Sequence, residues 1–193
     1  MSSAQSPARK QRADVVRNRA KILEVAQNHF FAGGVGTSLE AVAKDAGVGP
    51  GTLYRHFPNR DALLASVLEL RRTDLVELGQ RLGDLDDTGE ALRQWLLAVE
   101  DYFSLYIGLS EPHLSAIREQ DPNNPLARTC DDLISATSDF LLAAQRDGHA
   151  REGILGRDLF LAANSLAWMR STGAVDEATT VRLRGVLENG YGI

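Results

Sequence analysis

The amino-acid sequence predicts an all-α protein of about nine helices, in which a small N-terminal domain precedes a larger C-terminal one. Apolar residues recur at intervals of three and four along most of the chain, which is the spacing of amphipathic helices. Gly, Pro and capping residues interrupt this pattern repeatedly. No stretch alternates between apolar and polar residues for long enough to predict a strand. The length of 193 residues allows one ordinary domain, or a small domain fused to a medium one.

The first predicted helix spans 14–32 and follows a polar, basic segment, 1–13, which we expect to be a flexible tail. The pair Gly33–Gly34 ends this helix, because glycine readily adopts the backbone conformation of a helix C-terminus. One face of the helix carries the residues expected to point inward, which are Ile22, Ala26, His29 and Phe30.

Two short helices, 38–46 and 50–57, are predicted next. The run Thr37-Ser38-Leu39-Glu40 fits a capping box, in which the Thr37 hydroxyl accepts the backbone N–H of Glu40 while the Glu40 side chain reaches back. Gly47 ends the first of these helices. Pro50 is tolerated in the first turn of the second, since it needs no backbone N–H there.

Six helices are predicted in the C-terminal domain. Asn59 is a suitable N-cap for the first of them, and an acidic segment, 83–89, separates it from the second. The second has its apolar residues in near-ideal amphipathic order. The predicted ranges are 60–82, 90–107, 112–120, 126–146, 157–171 and 177–189.

Charge is distributed unevenly along the chain, although the net charge is −5. Residues 1–60 contain nine Lys or Arg and four Asp or Glu, a net charge of +5. The remaining 133 residues contain twelve basic and twenty-two acidic residues, a net charge of −10. This asymmetry indicates an anionic partner for the N-terminal part alone.

Several classes of protein are excluded. Cys130 is the only cysteine, so neither a disulfide framework nor a cysteine zinc site is expected, and we place it in the core as an inert thiol. His113 and His149 are expected at the surface, because no further ligand stands at metal spacing. The chain lacks a nucleophile elbow, so we expect no enzyme, cofactor or metal.

No membrane segment is expected either. The N-terminus lacks the apolar stretch of a signal peptide. The most apolar later run, 159–169, contains Asn164 and Ser165 and is shorter than the roughly 20 residues that span a bilayer. The sequence therefore predicts a soluble cytoplasmic protein with no membrane partner.

The segment 38–57 predicts a helix-turn-helix, because two short helices are joined by a turn that contains two glycines. Leu53 and Phe57 of the second helix are expected to face inward. The exposed side chains suit DNA: hydroxyl and imidazole groups bind phosphates, and Arg55 can reach a guanine edge. Gly51 lets the start of the helix approach the backbone of DNA closely.

The run from Thr37 to Leu64, which includes AGV at the turn and TLYRHF in the second helix, resembles the DNA-binding signature of the TetR family of bacterial repressors. The resemblance covers roughly 15–68. It implies a homodimer that places one recognition helix per subunit in successive major grooves of an operator. It also implies an effector pocket in the C-terminal domain and a shift of helix 60–82 when the effector binds.

The resemblance assigns a role in DNA binding to individual positions. It places Pro50, Gly51 and Arg55 nearest the base edges. Gly49, Pro50 and Gly51 offer no side-chain hydrogen bonds, so specificity would depend on Arg55, on thymine-methyl contacts or on DNA shape. The residues implied to bind phosphates are Ser38, Thr52, Tyr54, His56 and Arg60.

A small apolar or aromatic effector is predicted from aromatic residues with polar groups, which suit a ligand pocket but also occur in cores. The candidate ligand-binding residues are Trp95, Tyr102, Phe103, Tyr106, Asn164, Trp168 and Met169. Helices 157–171 and 177–189 are the expected dimer surface, in which small residues permit close approach of helices. These small residues are Ala162, Ala163, Ala167 and Gly173.

We therefore expect three parts: a tail (1–13), a helix-turn-helix DNA-binding domain (14–58) and a regulatory, effector-binding and dimerisation domain (59–193). The predicted function is a ligand-responsive, dimeric transcriptional repressor. The sequence leaves open whether the protein represses or activates transcription. One alternative is a regulator whose C-terminal domain serves only dimerisation. The other is a helical binding protein whose head contacts protein instead of DNA.

Overall fold

The computed structural model describes residues 7–119, 121 and 123–193, with side chains from Asp14 onward. The described residues form nine α-helices, which confirms the predicted all-α fold. Their only β feature is an isolated antiparallel bridge between Ala150 and Gly192. The helices are α1 (Pro7–Gly33), α2 (Leu39–Asp45), α3 (Pro50–His56), α4 (Arg60–Gly83), α5 (Thr88–Ser104), α6 (Ser110–Glu119), α7 (Pro125–Arg146), α8 (Gly156–Ser171) and α9 (Glu177–Tyr191).

Helix α1 begins earlier than the sequence pattern predicts, at Pro7 instead of Asp14. Residues 1–6 of the predicted tail lie outside the described residues, whereas 7–13 form the first turns of α1 and are not a tail. The segment 8–13 contains only Ala, Arg, Lys and Gln, which are strong helix formers. Such residues extend a helix without an apolar periodicity, which is why the pattern did not reveal them.

Helices α1, α2 and α3, with the first turns of α4, form the unit that we call the head. Its core is made by the inward side of α1, including Ile22 and Phe30, against Val42 of α2 and Leu53 of α3. Phe57, directly after α3, is also buried, as predicted. The Arg19 guanidinium lies 4.5 Å from the centre of the Phe57 ring, a cation–π contact that joins α1 to the end of α3.

Helices α5 to α9 form the body, and α4 runs from the head into it. Leu63 and Leu64 of α4 are buried near its N-terminus, and Leu75 and Leu82 are buried nearer its C-terminus, where α4 packs on α5 and α7. Asn59 caps α4 as predicted, because its side chain accepts the N–H of Ala62 at 2.8 Å. A shift of α4 would therefore act on both units.

The centre of the body is the packing of α5, α7 and α8. Gly156 begins α8 where it crosses α7, and a Cβ there would lie 2.6 Å from the backbone nitrogen of Ser138. Ala163 and Ala167 are buried inside the chain in this packing, so they are not free for the dimer contact predicted for them. No described helix is long and apolar enough to span a membrane.

A buried group of charges joins α5, α8 and α9. Both carboxylate oxygens of Glu100, which is 1% exposed, accept hydrogen bonds of 2.8 Å from Arg184 of α9. The Arg170 guanidinium of α8 lies 3.2 Å from the same carboxylate. A carboxylate removed from water is stable only when it is paired in this way. Glu100 therefore adds ion pairs from α5 to both α8 and α9.

His113 is buried in the body, and the prediction of a surface position was wrong. Helix α6 begins at Ser110 instead of 112, and it turns Ser110, His113 and Ala116 inward. Nδ1 of His113 lies 3.0 Å from the carbonyl of Leu109, and the ring packs edge-on against Phe103. His149 is exposed and Cys130 is buried, as predicted.

Burial lowers the pKa of His113 from 6.5 to about 4, so its ring is neutral at pH 7. The unfolded chain takes up a proton near pH 6.5, whereas the folded protein does so only near pH 4. The contribution of His113 to stability is therefore lost as the pH falls from 6.5 towards 4. For Cys130, burial raises the pKa of the thiol to about 12, which keeps it protonated and unreactive.

The head contacts the body at the segment between α5 and α6. Helix α5 ends at Ser104 instead of 107, and Gly108 then turns the chain with a φ of +80°. The carbonyl of Ile107 thereby becomes free to accept the N–H of Val35 at 3.0 Å. Tyr106 packs edge-on against Phe30 of α1, with ring centres 6.2 Å apart. We call these contacts the head–body junction.

Candidate functional sites

Helices α2 and α3 form a helix-turn-helix in which the turn is fixed by hydrogen bonds. Gly47 has a φ of +71°, which glycine adopts without strain. The N–H of Val48 then bonds the carbonyl of Ala43 at 3.0 Å, and the Gly49 carbonyl accepts the N–H of Leu53 at 3.1 Å. Because Leu53 is fully buried, the opposite side of α3 points away from the head.

Helix α2 is capped by Ser38, not by Thr37, so the predicted capping box does not form. The Ser38 hydroxyl accepts the N–H of Ala41 at 3.2 Å. The Glu40 carboxylate does not bond the backbone of Thr37. It accepts the Ser38 hydroxyl at 2.8 Å instead. The helix begins one residue later than the box requires, at Leu39.

All the residues predicted to bind DNA reach the surface of the head, around α3 and the starts of α2 and α4. None is in the core, so the structure is compatible with the prediction. The exposed residues are Ser38, Pro50, Gly51, Tyr54 and Arg55, and the half-buried ones are Thr52, His56 and Arg60.

The Glu40 carboxylate holds two of the hydroxyls predicted to bind phosphate. It accepts the Ser38 hydroxyl and, at 3.3 Å, the Tyr54 hydroxyl. These hydrogen bonds, with that of Ser38 the largest cause, hold the pKa of Glu40 below its usual value. A phosphate would therefore have to displace a charged carboxylate from both hydroxyls. Glu40 is a candidate residue of this surface that the sequence pattern did not reveal, because its proximity to Tyr54 arises only when α2 and α3 cross.

The two arginines of the interface differ in their bonding. Arg55 folds back along α3, where it donates to the Gly51 carbonyl at 3.1 Å and to the Thr52 hydroxyl at 3.0 Å. Because these hydrogen bonds are exposed, the Arg55 guanidinium can readily give them up and bind a base edge or a phosphate. One guanidinium nitrogen of Arg60 donates to the carbonyls of Val35 and Thr37 at 2.6 and 2.7 Å. Arg60 thus braces the α1–α2 connection, which is a structural role beside the one predicted for it.

Replacing Glu40 with Gln is expected to strengthen binding to duplex DNA by about two- to tenfold at low salt, because it removes a negative charge beside the two hydroxyls that are predicted to bind phosphate. Fluorescence anisotropy with a labelled duplex measures this change. Glu24→Gln is the matched control, since it removes the same charge from an exposed position on α1. An equal gain for the control would contradict a local effect of Glu40.

A second candidate site is an apolar groove of about 420 Å³ between α4 and α7, with α5 beneath it. Trp95 of α5 lies at its floor, 3% exposed, and stacks on Phe140 of α7 with ring centres 5.1 Å apart. The indole N–H donates to the Thr137 hydroxyl at 2.9 Å, so the floor offers no unused donor there. Gly79 of α4 leaves room for the indole, since a Cβ would lie 3.2 Å from Cζ3 of Trp95.

The residues predicted to bind a ligand do not form one site. Trp95 lines the groove, whereas Tyr102, Phe103 and Tyr106 are buried in helix packing. The remaining predicted residues are on α8, which does not line the groove: Asn164 is buried, Met169 half-buried and Trp168 48% exposed. Gly79 and Phe140 were missed. The one sequence signal for Gly79 was its position inside a long predicted helix, because a glycine there lowers the stability of the helix.

Family models match both parts of the chain. Residues 22–67 match the model described as "Bacterial regulatory proteins, tetR family". Residues 87–191 match the model "Transcriptional regulator SbtR-like, C-terminal domain". The second match covers more than half of the chain, and the first contains the helix-turn-helix.

Individual proteins resemble the chain over different extents. It is 41% identical to the HTH-type transcriptional regulator SAB2452 of Staphylococcus aureus over 59 residues, which are 30% of this chain and 32% of that protein. The match thus spans about a third of that relative. The TetR transcriptional regulator SCO0520 of Streptomyces coelicolor is 29% identical, with a TM-score of 0.55 over 90% of this chain and 98% of that one.

A third similarity is to the fold alone. The transcriptional regulator FadR of Bacillus subtilis, solved in complex with stearoyl-CoA, is 20% identical, with a TM-score of 0.57 over 89% of this chain and 98% of that one. The arrangement of head and body thus recurs in a regulator that binds a small molecule.

Proposed function

The chain belongs to the TetR family of bacterial transcriptional regulators, and on that premise we propose that it is a dimeric repressor which a small molecule releases from its operator. The observation that carries this proposal is the combination of an exposed α3 with an apolar groove, linked by α4. We also propose the division into a DNA-binding domain (14–58) and a regulatory domain (59–193), acting in the cytoplasm where the operator is.

The α3 surface supports DNA binding through two kinds of contact. Its hydroxyl and imidazole groups suit phosphates, and Arg55 is the side chain on α3 best suited to a guanine edge. The net charge of +5 in residues 1–60 adds a general attraction to DNA. The acidic remainder of the chain would be repelled by the same phosphates, which orients the head towards DNA.

Arg55→Ala is expected to lose discrimination between operator variants, by about 1–3 kcal/mol per lost base contact. Tyr54→Phe should instead weaken binding to all duplexes to a similar degree, because a phosphate contact carries no base information. Both can be measured by gel shift with a duplex selected in vitro and a series of its single-base variants. Unchanged discrimination by Arg55→Ala across that series would contradict the proposed role of Arg55.

The dimer surface is proposed on α8 and α9, which leave large apolar side chains at the surface. Trp168 of α8 is 48% exposed, and Val181 and Val186 of α9 are 55% and 69% exposed. Exposed apolar surface of this kind is typical of interfaces between protein subunits. We therefore assign Trp168 to the dimer surface in place of the ligand site.

Trp168→Glu is expected to raise the dissociation constant of the dimer by about 30-fold or more, the effect of removing a central aromatic contact. Sedimentation velocity over a range of protein concentrations measures it. Leu70→Glu is the control, because Leu70 is similarly exposed but lies on α4. Dissociation by Leu70→Glu alone would place the interface elsewhere.

The α4–α5–α7 groove is proposed to hold a small apolar or aromatic effector. Trp95 at its floor and Tyr106 at the head–body junction belong to the same segment of chain, so a change at the groove can reach Phe30 and the head. Such coupling typically changes DNA affinity by about 5–150-fold. Titration of the protein–DNA complex with apolar compounds tests it. Compounds that bind the groove without changing DNA affinity would favour a regulator that has no effector.

A further inference from the structure

We propose that the α4–α5–α7 groove selects an organic cation, a molecule with a flat apolar body and one positively charged nitrogen. This inference rests on the proposed effector function and names the chemical class that the groove would take. The apolar body is indicated by the walls, which include Leu75 of α4 and Leu133 of α7, and by Trp95 at the floor. Small residues, including Gly79 and Ala136, leave the space between α4 and α7 open.

The positive charge is indicated by the ionisable side chains of the groove. Arg72 already donates to Glu69 at 2.8 Å and to Asp132 at 3.2 Å, so its charge is balanced by two carboxylates. Asp139 lies two turns beyond Asp132 along α7 and lines the same groove. Asp139 is exposed, and Arg72, the basic side chain among the lining residues, pairs with Asp132 instead of with Asp139. The ionisable side chains that line the groove thus carry a net negative charge.

An anionic ligand is expected to bind this groove weakly. It would have to displace Arg72 from its two carboxylates, or its negative charge would lie near that of Asp139 without a basic partner. Either arrangement costs free energy of binding. The indole N–H of Trp95 is already used by Thr137, so it does not provide a replacement donor. A cation, by contrast, can pair with Asp139 while its apolar part covers the aromatic pair of Trp95 and Phe140. Aromatic faces also attract cations directly.

Isothermal titration calorimetry with three probes of the same shape tests the inference without DNA. The probes are 1-naphthylmethylammonium, 1-naphthylmethanol and 1-naphthoate, which differ chiefly in charge. The ammonium compound is expected to bind the parent protein at least about tenfold more tightly than the alcohol, and the carboxylate is expected to bind most weakly. A tenfold difference corresponds to about 1.4 kcal/mol.

Three substitutions on α7 locate the effect. Asp139→Asn is expected to weaken binding of the ammonium compound about three- to fivefold, the range for an ion pair with an exposed carboxylate, while it changes binding of the alcohol less than twofold. Asp131→Asn, which removes the same charge from a residue that lines a different cavity, should leave both unchanged. Ala136→Phe fills the groove and should abolish binding of both compounds, with circular dichroism to verify the fold.

Each contrary outcome has a defined meaning. Equal or tighter binding of the alcohol or the carboxylate overturns the inference of a cation, and so does an unchanged ammonium affinity in Asp139→Asn. If no probe binds while the protein still shifts its selected duplex, the groove is not the ligand site. The DNA-binding part of the proposed function then remains, so the two failures are distinguishable.

Discussion

Glu100→Ala is expected to lower the free energy of unfolding by about 3–5 kcal/mol, the cost of breaking a buried ion pair by removing one partner. Glu100 is 1% exposed and balances Arg184 and Arg170, which come from two other helices. Without it, two guanidinium groups that are 20% and 26% exposed lose their buried partner, and only the exposed carboxylates of Asp101 and Glu177 still pair with them. The loss should therefore exceed that of any exposed ion pair in the chain.

Urea unfolding at a fixed protomer concentration measures this loss, since the stability of the proposed dimer would depend on concentration. Asp101→Asn is the matched control: Asp101 pairs with the same Arg170, but it is 69% exposed, and such pairs contribute about 0–1 kcal/mol. Glu100→Gln keeps the shape of the side chain. A loss close to that of alanine would assign the effect to charge, and a loss below 1 kcal/mol in both Glu100 variants would contradict the prediction.

Gly34→Ala is expected to cost about 2–4 kcal/mol, because two independent penalties coincide there. Gly34 has a φ of +76°, which other residues adopt with strain, and it is buried at the head–body junction. A Cβ would lie 2.6 Å from the carbonyl oxygen of Ile107, the same oxygen that accepts the N–H of Val35. The junction would have to open to admit one methyl group.

Gly36→Ala is the control for this variant, because Gly36 is in the same connection and a Cβ there meets nothing within 4 Å. Its stability should stay within about 0.5 kcal/mol of the parent or rise slightly, as expected for a glycine in an ordinary conformation. Thermal or urea unfolding compares the two variants. Equal losses would show that the chain tolerates no substitution in this segment, and no loss at Gly34 would contradict the close approach.

The helices were predictable from sequence to the extent that local signals defined them. Asn59 caps α4 as its residue type suggests, and the spacing of apolar residues located α5 and the buried Leu53. The start of α1 was not predictable from the same pattern, because segment 8–13 consists of helix-forming residues without an apolar periodicity. Local signals thus predicted which segments are helical more accurately than they predicted the ends of the helices.

Positions that depend on the packing of distant helices were not predictable. His113 is buried because α6 turns the side that carries His113 towards Phe103. The pattern of polar and apolar residues in α6 does not indicate that this side faces the core. The groove requires Gly79, Trp95 and Phe140, one residue from each of three helices, to meet. Of these only Trp95 stood out, since its aromatic neighbours along α5 marked it. The surface position of the candidate DNA-binding residues was easier to predict, because one short segment contains nearly all of them, and their role stays a prediction.

The two tryptophans of this chain lie at different proposed sites, so the tryptophan fluorescence of each site can be measured separately. Trp95 is buried at the floor of the groove, and Trp168 is 48% exposed on the proposed dimer surface. A Trp168→Phe protein would emit from the groove alone, and a Trp95→Phe protein from the subunit contact alone. Occupation of the groove and association of subunits can thus be followed as two optical signals, without any attached label.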